Sequence, residues 1–212
     1  MPLIDRRGFL KLFSAAFAMR ALGSQAFCAP SISKFESASL GLRFSVPRAW
    51  HAMDGISALK IIDPQVFIRD DPDDISATPL MVYSRDDMRH EDPSPRMNPN
   101  VTVYVDAWCD WMGDRLPVFA DACYENYASM VIEPEQEVRP EGIELSGHHW
   151  ERSVLSFLLV GASGFEHRVR MQTYATFIRG YLVVVNQTGS ASGHDTAANE
   201  FADFESSVAT SS

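Results

Sequence analysis

Two groups of residues have side chains that could bind a metal ion. The denser group is acidic and consists of Asp70, Asp71, Asp73 and Asp74. Several carboxylate oxygens on a flexible loop are what a hard cation such as Ca²⁺ requires. The segment lacks the alternating aspartate register of a calcium loop, however, and Pro72 stiffens its centre. A solvated acidic loop is therefore the simpler interpretation, and a cation site is the alternative.

The second group consists of histidines on two strands that are predicted to pair as a hairpin. His149 begins the first strand, and His167 lies near the start of the second. One imidazole from each strand and a carboxylate would suit a transition metal. Successive strand residues point to opposite faces, so His148 and His149 do not both face one metal without a bulge. Exposed histidines without a metal are the simpler interpretation, and no cofactor is assigned.

The cysteines and serines provide no recognisable nucleophile. Cys109 and Cys123 belong to no C-x-x-C pair. They are candidates for a disulfide in an oxidising compartment, and two buried thiols are the alternative. Ser163 lies in a predicted hairpin turn and lacks the second glycine of a nucleophile elbow. The sequence thus predicts no catalytic residue and a protein that is not an enzyme.

The first residues of the chain contain an export motif. Residues 5–11 have the sequence Asp-Arg-Arg-Gly-Phe-Leu-Lys, which resembles the twin-arginine translocation signal of bacteria. The residues that carry the resemblance are Arg6, Arg7, Phe9, Leu10 and Lys11. The resemblance implies export in the folded state, with the twin-arginine translocase as a transient partner.

The residues after the motif support a cleaved signal peptide. Residues 12–19 are apolar but too few to span a bilayer. The small residues Ser24 and Ala26, at the positions that a signal peptidase reads, predict cleavage before Phe27. We therefore expect a signal peptide and cleavage region over residues 1–29, and a mature periplasmic protein without a membrane span. The alternative is a cytoplasmic protein whose first helix is amphipathic.

Composition and charge limit the partners of the mature protein. Hydrophobic residues make up 46% of the 212 residues and charged residues 22%, which is typical of a globular domain. The formal net charge is −10, although the first 29 residues are net basic. The mature chain is therefore more acidic still and would repel nucleic acids and anionic lipids. A metal cation or a basic protein surface remains compatible.

Hydrophobic periodicity predicts a linker over residues 30–39 and one α+β domain over residues 40–209. Strands are expected where apolar residues alternate or form short runs, and helices where they recur every three or four residues. The predicted strands are 42–46, 59–62, 79–83, 101–105, 130–132, 143–145, 149–160, 165–178 and 181–187. The predicted helices are 107–112, with Asp106 as a cap, a second one ending near Tyr127, and one starting at Thr196. This order predicts an antiparallel sheet with helices packed on it.

Three segments resemble the PsbP-like and DcrB-like group of exported proteins. The first is Leu-Arg-Phe-Ser-Val-Pro-Arg-Ala-Trp at residues 42–50, the second is the hairpin at residues 171–185, and the third is the closing helix with Phe201 and Phe204. The resemblance implies an α-β-α sandwich and a non-enzymatic accessory role. It carries over no functional residue. A polar insert at residues 84–100 departs from the minimal pattern and is where a function of its own would be expected.

The sequence therefore predicts an exported accessory or binding protein that acts on an unidentified envelope protein in the periplasm. The alternative is a periplasmic protein that binds a metal or small molecule through the acidic loops or the hairpin histidines.

Overall fold

The structure is a computed structural model that describes residues 34–47, 50–62, 79–88, 97–107, 115–160, 166–191, 201 and 203–210. Several predicted features lie outside these residues. They are the signal peptide with its cleavage site, the acidic group at 70–74, most of the polar insert, Cys109, Ser163 and the start of the closing helix.

The described residues form ten strands and three helices. The strands are β1 (Lys34–Ser37), β2 (Leu42–Ser45), β3 (His51–Asp54), β4 (Met81–Ser84), β5 (Asn100–Ala107), β6 (Ile132–Leu145), β7 (His148–Val160), β8 (Glu166–Ile178), β9 (Tyr181–Ser190) and β10 (Ala209–Thr210). The helices are α1 (Gly55–Ile62), α2 (Leu116–Met130) and α3 (Phe204–Ser207). A large sheet has the order β3-β4-β5-β9-β8-β7-β6, and a small sheet has the order β1-β2-β10. Every recorded pairing is antiparallel.

Tight hairpins connect the long strands at one end of the large sheet. The β6–β7 turn consists of Ser146 and Gly147, with φ of 53° and 77°. The β8–β9 turn consists of Arg179 and Gly180, with φ of 50° and 80°. Positive φ at both central residues is the geometry of the two-residue turn that matches the twist of the strands. This turn falls between the predicted strands 165–178 and 181–187, as their spacing requires.

The large sheet is covered on both faces. Its inner face carries Trp150, Tyr174 and Val185, which form one core with the small sheet and α3. Its opposite face carries Leu155 and Met171 and is covered by α2. The result is a layered α+β structure, as predicted. Among the described helices, none has the length and hydropathy of a bilayer-spanning helix.

Helix α2 begins where the sequence contains Leu116-Pro117. Proline is tolerated in the first turn of a helix, because the amide it lacks would have no intrahelical partner there. Leu116 and Tyr124 are buried against the sheet. The predicted helix up to Tyr127 is confirmed and extends to Met130.

Two predicted elements near the amino end of the domain differ from the structure. Residues 59–62, predicted as a strand, belong to α1. Asp54 explains this, because its side chain accepts hydrogen bonds from the Ser57 amide (3.0 Å) and hydroxyl (2.6 Å) and so starts a helix. Residues 34–37, assigned to the linker, form β1, in which buried Phe35 pairs with Phe44.

Two further predictions are wrong in the middle of the chain. Asp106 was expected to cap a helix, but it lies within β5 and pairs with Leu182. Of the two short predicted strands, 143–145 is the end of a 14-residue strand, β6, whereas 130–132 contributes only Ile132 to it, because Met130 belongs to α2. Five glutamates and two prolines conceal the alternation of this strand. Such residues are tolerated at a sheet edge because its outer hydrogen-bonding groups need no protein partner.

Candidate functional site

The predicted hairpin metal site is not assembled. His167 pairs with Leu159 on β7, whereas His149 lies at the other end of that strand and pairs with Glu144 on β6. At about 3.3 Å per residue, roughly 30 Å separates the two histidines. Within the described ranges, no group of three or more His, Cys, Asp or Glu is arranged to hold a metal ion.

Cys123, on α2, has no disulfide partner among the described residues. Burial raises the pKa of Cys123 to about 12. The thiolate is the nucleophilic form, so this residue is unreactive near neutral pH. Because Cys109 lies outside the described residues, the Cys109–Cys123 disulfide stays a prediction.

His149 has a different partner, the buried carboxylate of Glu151. The distance from His149 Nε2 to Glu151 Oε1 is 2.8 Å, and Nδ1 lies 3.5 Å from Glu144 Oε1. Glu151 is only 4% exposed, whereas the His149 side chain is 49% exposed. Gly142 on β6 makes room for the ring, since a Cβ there would lie 2.7 Å from His149 Cε1. One imidazole thus links the edge strand β6 to β7 between two carboxylates.

These contacts favour the charged imidazole. The hydrogen bond with Glu151 raises the pKa of His149 above its ordinary value of 6.5, desolvation partly opposes this, and Glu144 adds to the rise. An opposite charge within hydrogen-bonding distance stabilises the protonated form. The ion pair therefore contributes stability that is fully present below pH 6.5 and is lost as the pH rises through the raised pKa.

We expect His149→Gln to destabilise the protein more at mildly acidic pH than at alkaline pH. The loss should be about 1 kcal/mol, because the imidazole itself is half-exposed and water screens its charge. Urea unfolding at about pH 5.5 and about pH 8.5 measures it, with the larger effect at the lower pH. In a Glu151→Gln background, the stability loss caused by His149→Gln should depend less on pH, because the carboxylate that pairs with the imidazole is absent. An equal effect at both pH values in the native background would contradict the assignment.

A polar network on the inner face fixes α3 to the large sheet. The Tyr174 hydroxyl donates to Glu205 Oε1 at 2.8 Å, and Arg152 Nη1 donates to the same oxygen at 2.9 Å. Arg152 also pairs with Glu141 on β6. Desolvation, followed by the hydrogen bond with Glu205, raises the pKa of Tyr174, which stays a neutral donor. The network joins β6, β7, β8 and α3.

Ion pairs also cover the edge strand β6. Arg168 lies 2.9 Å from Glu135, and Arg170 lies 2.8 Å from Glu137, so side chains from β8 reach across β7. Arg139 pairs with Asp121 on α2 at 2.9 Å. Exposed pairs of this kind contribute little individually. Charged residues, prolines and register shifts along an edge instead discourage the addition of another strand.

Exposed apolar residues gather at the opposite end of the large sheet from its tight turns. We call Met130, Ile132, Leu159 and Val160 the apolar end. Their exposed fractions are 63%, 52%, 44% and 45%. They are four of the six exposed large hydrophobic residues in the described ranges. Ile132 pairs with Leu158 on β7, and Met130 ends α2 just before β6, so the four residues lie at the same end of the sheet, with Leu159 and Val160 on opposite faces.

A cluster of this kind marks a contact surface better than scattered apolar residues do. Sequence analysis missed the apolar end, because each member continues the apolar pattern of its own strand or helix. A signal for it was present in the predicted strand lengths. Strands 149–160 and 165–178 are both longer than the next strand, 181–187, so the hairpin they form extends beyond its neighbour and exposes its apolar end.

Comparison with known proteins gives the fold its name. No known protein-family model matches the chain, and no curated protein matches it. The solution structure of cyanobacterial PsbP (CyanoP) from Synechocystis sp. PCC 6803 does match, with a TM-score of 0.51 and 16% identity. The match covers 90% of this chain and 99% of that one. The fold is PsbP-like.

A second solved structure is similar over a comparable length. LpqN, involved in cell envelope biogenesis of Mycobacterium tuberculosis, has a TM-score of 0.49 and 12% identity, and 88% of each chain is covered. The PsbP-like assignment is based on the cyanobacterial protein. At 16% identity, the likeness to that protein establishes the fold alone.

Proposed function

We propose that this is an exported, non-enzymatic accessory or binding protein that acts through contacts with another protein in the bacterial periplasm. The apolar end is the observation that carries the proposal. Its four residues are each at least 44% exposed, although the same chain buries large side chains such as Trp150 completely. A surface that keeps apolar groups together in water gains free energy when a partner covers them.

The rest of the surface supports a protein partner over a membrane or a nucleic acid. The chain has a formal net charge of −10, and Glu133 and Glu135 flank the apolar end with side chains that are 69% and 65% exposed. Arg168 pairs with both of these carboxylates, so it is the net negative charge of the whole chain that repels anionic lipids and phosphate backbones. The motif from Arg6 to Lys11 supports export by the twin-arginine route.

The contact is tested by site-specific photo-crosslinking in living cells. A photoreactive benzoylphenylalanine is placed at Leu159, and in a control protein at Ile56, which is 56% exposed on α1. Because only Leu159 belongs to the apolar end, we expect a discrete crosslinked protein from this position and none from Ile56. Mass spectrometry of the crosslinked band from the periplasmic fraction identifies the partner.

Two results would contradict the proposal. Equal crosslinking from both positions would show that the apolar end is not a selective contact surface. Recovery of the chain from the cytoplasmic fraction alone, with its first residues intact, would contradict export.

A further inference from the structure

Strands β7 and β8 extend past both of their neighbours at the apolar end. Strand β6 first pairs with β7 at Leu158, and β9 pairs with β8 only from Val169 onward. Beyond these positions, β7 and β8 still pair with each other. The residues that extend past both neighbours are called the hairpin tip and form two cross-strand pairs, Leu159 with His167 and Val160 with Glu166. Two residues at about 3.3 Å each make the tip project roughly 7 Å.

The β7 side of the hairpin tip is apolar on both faces. Residues 157–160 are Phe-Leu-Leu-Val, and an unbroken apolar run is typical of a strand that is buried on both faces. Leu159 lies on the face that α2 covers, and Val160 lies on the inner face. Their exposed fractions are nevertheless 44% and 45%. Both faces of the tip therefore have apolar surface that a partner can cover.

This arrangement determines the shape of a partner that fits the tip. Leu159 and Val160 project in opposite directions from one strand, so a flat surface covers only one of them. A groove with two apolar walls covers both. The hydrophobic effect favours the contact that removes more apolar surface from water. The tip is thus better suited to insertion into a groove than to docking on a flat surface.

Charged groups beside the tip indicate the chemistry of the groove. Glu133 and Glu135 share Arg168, at 3.4 Å and 2.9 Å, so these three groups together keep one negative charge. Glu166 is exposed on the tip and has no ion pair with any other described residue. A basic side chain at the rim of the groove complements this excess of carboxylates. A second copy of this chain fits less well, because a two-fold contact brings the same carboxylates together.

We propose that the hairpin tip inserts into an apolar groove of the periplasmic partner, with Leu159 and Val160 against opposite walls and a lysine or arginine of the partner beside Glu166. The inference rests on the proposed function, because it specifies the partner surface that the apolar end contacts. Met130 and Ile132, which are 63% and 52% exposed, lie next to the tip and extend the apolar contact at its base.

Photo-crosslinking from each face of the tip tests the insertion. Benzoylphenylalanine is placed at Leu159 in one protein and at Val160 in another, and mass spectrometry identifies the crosslinked peptides of the partner. We expect both positions to crosslink the same protein, through two separate segments of its sequence that form opposite walls of one groove.

Glu166→Lys tests the basic rim. In the protein with benzoylphenylalanine at Leu159, this substitution should lower the yield of the crosslinked product at least about tenfold, because like charges then meet at the rim. Glu144→Lys is the matched control. It makes the same change of charge at a side chain that is 69% exposed, near the tight turns at the other end of the sheet. Its crosslinking yield should equal that of the protein without either substitution.

Four outcomes would overturn the proposal. Crosslinking from only one of Leu159 and Val160 shows docking on a single face, and the proposed protein contact then still stands. Crosslinks that join only two copies of this chain assign the tip to self-association. Equal yields with Glu166→Lys and Glu144→Lys exclude the basic rim. The absence of a crosslinked protein from both positions contradicts the insertion and the proposed function together.

Discussion

Replacing Phe44 with alanine is expected to lower the free energy of unfolding by about 3–5 kcal/mol. Phe44 is 1% exposed and lies between the small sheet, α3 and the inner face of the large sheet. Its ring stacks on Phe35 at 4.8 Å between centroids and meets Phe204 edge-on at 5.0 Å. Removal of the ring leaves a cavity at the junction of three elements, none of which has another way to fill it.

Urea unfolding followed by circular dichroism measures the effect of Phe44→Ala. Phe44→Leu keeps most of the volume and should lose less stability. Val118→Ala on α2 removes a side chain that is 62% exposed and should change stability by about 0.5 kcal/mol or less. If Phe44→Ala and Val118→Ala lose similar amounts, the small sheet is not packed on the large sheet as described.

The sequence predicted those elements whose pattern is local. Alternation of Leu42 and Phe44 with polar residues indicates β2 without knowledge of its partners, and the Arg179-Gly180 pair indicates a turn. Strand β1 was missed because Phe35 is its only buried residue, and its pairing with Phe44 is a contact between separate strands. Most of strand β6 was missed because glutamates interrupt its apolar alternation. These glutamates are stabilised by arginines on other strands, which the local sequence does not reveal. Long-range contacts therefore decide the cases in which local pattern is ambiguous.

The candidate sites show the same contrast between what local sequence indicates and what long-range contacts decide. The type of residue made His149 a candidate, but strand register gives it Glu151 as a partner instead of His167. Arg179 and the β1–β2 turn are separated by most of the chain, and neither belongs to a motif that would have drawn attention to it. The β1–β2 and β8–β9 turns meet because Arg179 donates hydrogen bonds to the carbonyl oxygens of Ala38 and Ser39. Such a meeting is a property of the folded topology and is invisible in the sequence.

The apolar end and the tight turns lie at opposite ends of the large sheet. Strand β8 starts beside the apolar end and finishes at the turn that carries Arg179, so it spans roughly 40 Å between them. The edge between the two ends carries ion pairs, prolines and register shifts that oppose pairing with another strand. Strand addition along β6 is thereby opposed, which favours contact with a partner through the apolar end.

Gly55→Ala is expected to destabilise the protein by about 2–3 kcal/mol, through overpacking. Gly55 is buried at the start of α1, and a Cβ there would lie 1.4 Å from the Pro79 carbonyl oxygen. Its amide also donates to the Leu80 carbonyl oxygen at 3.2 Å. The methyl group would therefore push away the segment that leads into β4, and the pairing of Asp54 with Met81 would weaken.

The Gly55→Ala substitution separates the effect of tertiary packing from that of helix propensity, because the two predict opposite signs for the change in the free energy of unfolding. Alanine is better than glycine in a helix by about 1 kcal/mol, so propensity alone predicts a stabilised protein. The matched control is Gly147→Asn, where a Cβ meets no atom within 4 Å and asparagine tolerates the φ of 77°. Urea unfolding of both variants is decisive. A Gly55→Ala protein as stable as the control, or more stable than the native protein, would show that α1 does not lie against Pro79.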